Sequence, residues 1–269
     1  MLLAPSTKKL EILAKSTRLD LLDMVATQGG HIGGSLSSLD LLIALYFGKI
    51  FNFPKTYDFS KDIFILSAGH LCPALYTVLA HYGTFPKKLL KTYANFGSPL
   101  QGHSSIEVPG VLFSSGALGQ GLSFSVGLAL ANPKRSVVCL TSDGEHQEGQ
   151  TWEAIATANK FKLKNLINIV DYNKYQIDGS TDEIMPLEDL GSKYLRFGWS
   201  VYEIDGHNYD DILKTLKKIK AKPLAPTCII AHTTLGKGVS YMHYDYNFHD
   251  VKSLTKDQLL RATTEIKEL

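Results

Sequence analysis

Two apolar runs end in hard oxygen ligands. Residues 137–141 lead into Ser142-Asp143-Gly144, and residues 166–170 lead into Asp171-Tyr172-Asn173. If both runs are strands of one βαβ unit, consecutive parallel strands lie side by side and bring Asp143 and Asn173 to one sheet edge. One carboxylate and one amide oxygen suit Mg²⁺, which takes about six oxygens and usually combines one or two carboxylates with phosphate oxygens. Gly144 leaves room for a phosphate, and the helix that follows offers free N–H groups and a positive dipole end. Taken singly, Asp-Gly is also a common turn and Asn a common cap.

Histidine is the second chemical signal. The chain has nine, and glycine precedes His31, His70, His103 and His207. A Gly-His pair in a loop lets the backbone aim an imidazole, the side chain that most readily exchanges protons near neutrality. A lone loop histidine is more often a solvated or capping residue, and His81, His146, His207, His232 and His243 are read that way.

The surrounding pattern supplies the elements that must hold these groups. Helices are expected at about 8–27, 37–47, 72–81, 118–131, 147–161, 187–197 and 209–220, with strands at 63–66, 136–141, 166–171, 199–205 and 227–231. A glycine-rich loop is expected at 29–34. Residues 83–115 are read as long and irregular, with a helical part within 86–96, and 251–269 as a terminal helix. Val- and Ile-rich strands alternating with helices imply an α/β fold, a doubly wound, mostly parallel sheet with helices on both faces. Its chemistry is expected at the carboxyl ends of the strands. Without a linker or repeat, residues 1–269 read as a single domain.

Composition narrows the function classes. With 28 basic and 26 acidic residues the net charge is +2, too mild for a nucleic-acid surface. No apolar run of 18 residues suggests a membrane span, and Lys8, Lys9, Glu11 and Lys15 interrupt any signal-peptide core. Cys72, Cys139 and Cys228 lack metal-ligand spacing and fit small buried hydrophobes in a reducing, cytoplasmic setting.

The segment from Asp143 through Gly144-Glu145-His146-Gln147-Glu148-Gly149 to Asn173 resembles the diphosphate-binding motif of thiamine-diphosphate enzymes. The flanking segments narrow the resemblance to transketolases over roughly residues 16–250. Gly30-His31-Ile32-Gly33-Gly34, Ala68-Gly69-His70 and Gln101-Gly102-His103 are similar to that family's substrate-side loops. Residues 115–121 (SGALGQG) are similar to its TGxLGQG segment, and 171–179 (DYNKYQIDG) to its metal loop.

The resemblance implies thiamine diphosphate and Mg as cofactors. Asp143, Asn173 and the carbonyl of Tyr175 would hold the metal. Gly144 and His70 would contact the diphosphate, with Glu145 and His249 added to the cofactor contacts. Gly116, Ala117 and Leu118 would flank the aminopyrimidine, and Ile177 would lie near the thiazolium. His31, His103 and His249 would line the substrate channel, while Glu148 and Glu153 would relay protons near the subunit contact. Ser142, Tyr172 and Ser104-Ser105 depart from the family pattern.

In transketolases the glutamate that activates the aminopyrimidine, and much of the phosphate-binding set, belong to a second α/β domain. The twenty residues after His249 are too few for one. The resemblance therefore implies the N-terminal subunit of a split transketolase, transferring a two-carbon ketol unit from a ketose to an aldose. Its C-terminal transketolase partner subunit would complete an α2β2 heterotetramer. The alternatives are a 2-oxoacid dehydrogenase α-type or deoxyxylulose-phosphate-synthase-like subunit, and a non-catalytic cofactor-binding remnant.

Overall fold

In the computed structural model, which describes residues 5–269, helices α1 (Thr7–Val25) and α2 (Ile32–Phe47) precede strand β1 (Ile63–Leu66) and helix α3 (Cys72–Tyr82). Helix α4 (Gln120–Ala131), strand β2 (Val137–Ser142), helix α5 (Gly149–Lys160) and strand β3 (Leu166–Tyr172) follow. A hairpin, β4 (Tyr175–Gln176) and β5 (Gly179–Ser180), leads into the short helix α6 (Thr181–Ile184). The chain continues through α7 (Leu190–Arg196), β6 (Ser200–Asp205), α8 (Tyr209–Ala221), β7 (Thr227–His232) and α9 (Lys256–Glu268).

The main sheet has the order β1-β2-β3-β7-β6, and every pair in it is parallel. Alternate side chains serve opposite faces. Val138, Leu140, Ile167, Ile169 and Ile229 join the side chains of α1, α2, α3, α8 and α9 in one core. Cys139, Leu166, Val170, Cys228 and Ile230 join α4, α5 and α7 in the other. Burial on both sides is why these strands read as continuous apolar runs. All three cysteines are free and buried in these layers, and among the described residues no helix is long and apolar enough to cross a membrane.

The glycine-rich segment is shorter as a loop than its composition suggests. Helix α2 begins at Ile32, so Gly33 and Gly34 are helical. A Cβ on Gly33 would meet the Phe248 carbonyl oxygen at 2.7 Å, and one on Gly34 would meet Leu71 at 2.7 Å; close packing, not turn geometry, selects glycine there. The 83–115 segment is irregular apart from one 3-10 stretch, Lys87–Thr92. The β4–β5 hairpin and α6 lie outside the expected elements, because two-residue strands leave no periodic signal.

Helix α4 is fixed against the tip of β1. A Cβ on Gly121 would lie 2.5 Å from the Ser67 Cβ and 2.6 Å from its Cα, a clash with backbone that no rotamer change relieves. Gly121→Ala should lower stability by about 1–3 kcal/mol, the usual cost of overpacking, read as a lower denaturation midpoint in thermal or urea melts.

Candidate active site

Three loops leave the carboxyl ends of β1, β2 and β3 and close on one cavity of about 300 Å³. The β2–β3 register sets Ser142 opposite Asp171, so Asp143 and Asn173 emerge together. The Asp143 carboxylate is 1% exposed. Its Oδ1 accepts from the Gly144 N–H at 2.7 Å and its Oδ2 from the Lys174 N–H at 2.5 Å. Lys174 reaches it from a left-handed backbone conformation, φ +67°, strained for a residue with a side chain. The Asn173 amide is oriented by its surroundings. Its Nδ2 donates to Asp171 Oδ2 at 3.1 Å and to Ser37 Oγ at 3.3 Å, leaving Oδ1 as the acceptor, here from the Tyr175 N–H at 2.9 Å. Asp171 is itself held by the Ser37 and Thr233 hydroxyls.

Among the described residues, no cation is paired with this buried acid. Asp143 is pushed up to about 7, first by burial and then by the neighbouring Asp171 carboxylate, with the backbone donors opposing. Asp171 is raised as well, mainly by burial. A buried carboxylate with a cost this large is the electrostatic complement of a bound cation. The donors are oxygens, which fits a hard ion sharing its shell with phosphate oxygens. A Cβ on Gly144 would meet nothing closer than Gln176 at 3.5 Å, so the backbone beside the carboxylate is open to a phosphate.

The other end of the cavity is imidazole. His31 sits at the N-terminus of α2, His70 in the turn after β1, His103 on the irregular segment and His249 before α9. Ring centroids lie 5.1 Å apart for His31–His70, 5.9 Å for His31–His103, and 5.5 Å for both His31–His249 and His70–His249. Burial holds His70 well below its ordinary range, and three neighbouring imidazoles add to the effect. His249 is pushed down to about 4 by burial and by His31, against Asp250. His31 is lowered by burial, with Asp250 opposing and His103 assisting. His249 Nδ1 is buried with no partner, a polar atom awaiting a ligand or water.

His31, His70, His103, His249, Gly116, Leu118, Asp143, Gly144, Glu148, Asn173, Tyr175 and Ile177 all line this cavity. Ala117 is exposed beside it and Glu153 lies exposed on α5, neither on the wall. Glu145 turns away into the interior, where its Oε1 accepts from the Gly119 N–H at 2.6 Å and from the Ser67 hydroxyl. There it ties the loop carrying Gly116 and Leu118 to the tip of β1 instead of meeting the cavity. Burial raises it to about 7.

Ser104 is also interior, its hydroxyl 2.6 Å from that of Ser115, and it locks the His103 segment to the same loop. Sequence reasoning missed Gln147, Gln176 and Ser142 on the wall, and the supporting Ser37 and Asp171. It read His146 and His207 as solvated or capping. His146 is a buried connector between the Ser142 carbonyl and the Tyr194 hydroxyl, and the half-buried His207 links Asp40 to the Thr234 N–H. A wider cleft of about 700 Å³ lies behind the Gly144–Gln147 turn, walled by Trp152, Leu187 and Phe197. It holds neither Asp143 nor the four clustered histidines.

The family model described as transketolase, thiamine diphosphate binding domain, matches residues 10–263. The chain belongs to the transketolase family. It is 40% identical to one of the subunits of the apulose-4-phosphate transketolase of Phocaeicola vulgatus, over 96% of this chain and 94% of that relative. It is also 40% identical to a 6-deoxy-6-sulfo-D-fructose transketolase subunit of a Clostridium species, over 89% of each. Transketolase from Campylobacter jejuni superposes with a TM-score of 0.90 at 28% identity, covering 98% of this chain and 43% of that one. The chain likewise spans 43% of human transketolase, at 31% identity. The doubly wound sheet is thus the thiamine-diphosphate-binding fold of the transketolase family.

The burial of the imidazoles has a spectroscopic consequence. In a ¹⁵N or ¹³C NMR titration His249 should remain neutral down to about pH 5, and His70 should titrate well below an ordinary imidazole; midpoints near 6.5 for both would contradict the packing described.

Proposed function

We propose that this chain is the coenzyme-gripping subunit of a two-subunit transketolase, moving a two-carbon ketol unit from a ketose to an aldose. The observation that carries this reading is the placement of the Asp143–Asn173 pair and the four-histidine cluster in one cavity. Relatives of nearly the same length, from Phocaeicola vulgatus and Actinobacillus succinogenes, are themselves named as one of the subunits of a transketolase. An α2β2 assembly with a C-terminal-half partner, working in the cytoplasm, follows from the same reading. Support for a partner also comes from the wall itself, which includes no lysine or arginine and leaves Ile177 58% exposed.

Asp143, Asn173 and the Tyr175 carbonyl would hold Mg²⁺, and the Gly144 backbone and His70 would meet the diphosphate. When bound, thiamine diphosphate supplies a nucleophilic carbon and an electron sink beside the sugar carbonyl. The chain's own part is to orient and to move protons. His70 and His249 are neutral at physiological pH by burial; His249 offers an acceptor nitrogen to a sugar hydroxyl. His31 stands 5.5 Å from His249 and 5.9 Å from His103 between ring centroids, close enough to exchange a proton through an intervening hydroxyl or water. Exposed Glu148 and Glu153 are suited to face the partner, where they would continue the proton path.

With the co-purifying partner, thiamine diphosphate and Mg²⁺, the chain should transfer ketol units within a panel of ketose and aldose phosphates; the chain alone should not. Pyruvate decarboxylation by the complex would favour the 2-oxoacid dehydrogenase reading instead.

Asp143 gives a second test with opposite signs. Its folded pKa near 7 exceeds the ordinary 3.8, so between those values the folded chain holds a proton that the unfolded chain has released. Metal-free stability should therefore fall as pH rises from about 4 to 7. Asp143→Asn should raise the melting temperature of the metal-free chain at about pH 8, above the folded pKa, while abolishing Mg²⁺-dependent coenzyme binding, measured by calorimetry.

A further inference from the structure

An antiparallel bridge beside the histidine cluster has no part in holding the coenzyme. The Gly30 N–H donates to the Val251 carbonyl at 2.7 Å and the Val251 N–H returns to the Gly30 carbonyl at 3.1 Å. The Leu254 N–H donates to the Ala26 carbonyl at 2.9 Å. The contact is tight: a Cβ on Gly29 would lie 2.2 Å from the Val251 carbonyl oxygen. This clamp fixes the residues flanking Gly30 and Val251 as neighbours, and those residues are His31 and Asp250.

The Asp250 carboxylate is 47% exposed and its Oδ1 stands 3.9 Å from His31 Nδ1, too far for a direct hydrogen bond. Among the described residues it accepts no hydrogen bond and has no other ion-pair partner. Its influence extends to His249 and Tyr93 as well as His31, so it stands at the rim of the imidazole end, beside His31 and just outside the cavity lining. An ionised carboxylate accepts at both oxygens and donates nothing, and the groups that complement it at a sugar site are hydroxyls. No lysine or arginine lines the cavity, so beyond the Gly144 backbone assigned to the diphosphate, its imidazole end offers hydrogen-bonding nitrogens and no cationic side chain for an anionic group on the sugar.

We propose that Asp250 is a substrate-recognition residue, accepting a hydrogen bond from a hydroxyl on the neutral, polyhydroxylated stretch of the sugar held against His31, His103 and His249. The inference rests on the ketol-transfer reading and deepens it. Any phosphate or sulfonate on the sugar then points away from this wall, toward the partner subunit.

The test is a cycle between enzyme and substrate in the reconstituted two-subunit complex loaded with thiamine diphosphate and Mg²⁺. Wild type, Asp250→Asn and Asp250→Ala are compared on aldoses and on their 2-deoxy and 3-deoxy analogues. A carboxylate–hydroxyl bond is worth about 1.5–3 kcal/mol, or roughly 10–150-fold. Wild type should therefore lose about that factor in kcat/KM on one deoxy analogue. Asp250→Ala should lose it on the parent sugar, chiefly through KM, and no longer distinguish the two, with Asp250→Asn intermediate. Equal discrimination by wild type and Asp250→Ala on every analogue would overturn the proposal.

Sugar binding is followed in parallel through the histidine NMR signals of the complex. If those signals respond to the parent aldose in wild type and not in Asp250→Ala while no ketol is transferred, the recognition role stands and the reaction assignment fails. Transfer and binding that are both indifferent to Asp250 sink the recognition role alone.

Discussion

The parallel pairing of β2 with β3 is the constraint on which the site depends. With Ser142 set opposite Asp171, the two strand tips cannot move independently, and Asp143 and Asn173 acquire a fixed separation without touching each other. The site is completed by backbone: Lys174 bends into a left-handed conformation to give its N–H to Asp143, and Tyr175 gives its own to Asn173. Any slip of register would part the ligands and also turn the apolar residues of β3 from one core to the other. The geometry of the site is therefore enforced by the same burial that stabilises the fold.

Around that pair the protein arranges polar groups in layers. Asp171 and Ser37 decide which way the Asn173 amide points. Glu145 and Ser67 hold the Gly116–Gly119 loop, and His146 grips the carbonyls of Ser142 and Asp143 from behind. These side chains position others, and their burial is the cost of that rigidity. The histidine cluster follows a different rule, since burial and neighbouring imidazoles lower the proton affinities of His31, His70 and His249.

The sheet was legible because buried parallel strands write themselves as runs of Val and Ile, and the strand-tip ligands because Asp143 and Asn173 follow those runs directly. Family resemblance, not periodicity, pointed to the clustering of His31, His70, His103 and His249, since loops carry no repeat that reveals where they converge. Glu145 was misplaced because adjacency to Asp143 and Gly144 in the chain says nothing about direction: a 3-10 turn sends its carboxylate inward. His146 and His207 were underestimated for the reason that tertiary partners, here Tyr194, Asp40 and the Thr234 N–H, lie far off in sequence. Gly33 and Gly34 looked like loop residues because glycine signals turns and close packing with the same letter.

A binding wall that carries carboxylates and imidazoles but no lysine or arginine has a thermodynamic corollary. On the proposed seating, the divalent ion and the pyrophosphoryl tail would be taken up almost as a neutral unit, since the lining of this chain offers neither its full counter-charge. Occupancy would then follow the product of the two free concentrations, as for an ion pair leaving solution. Saturation would respond to the free magnesium level as much as to vitamin supply.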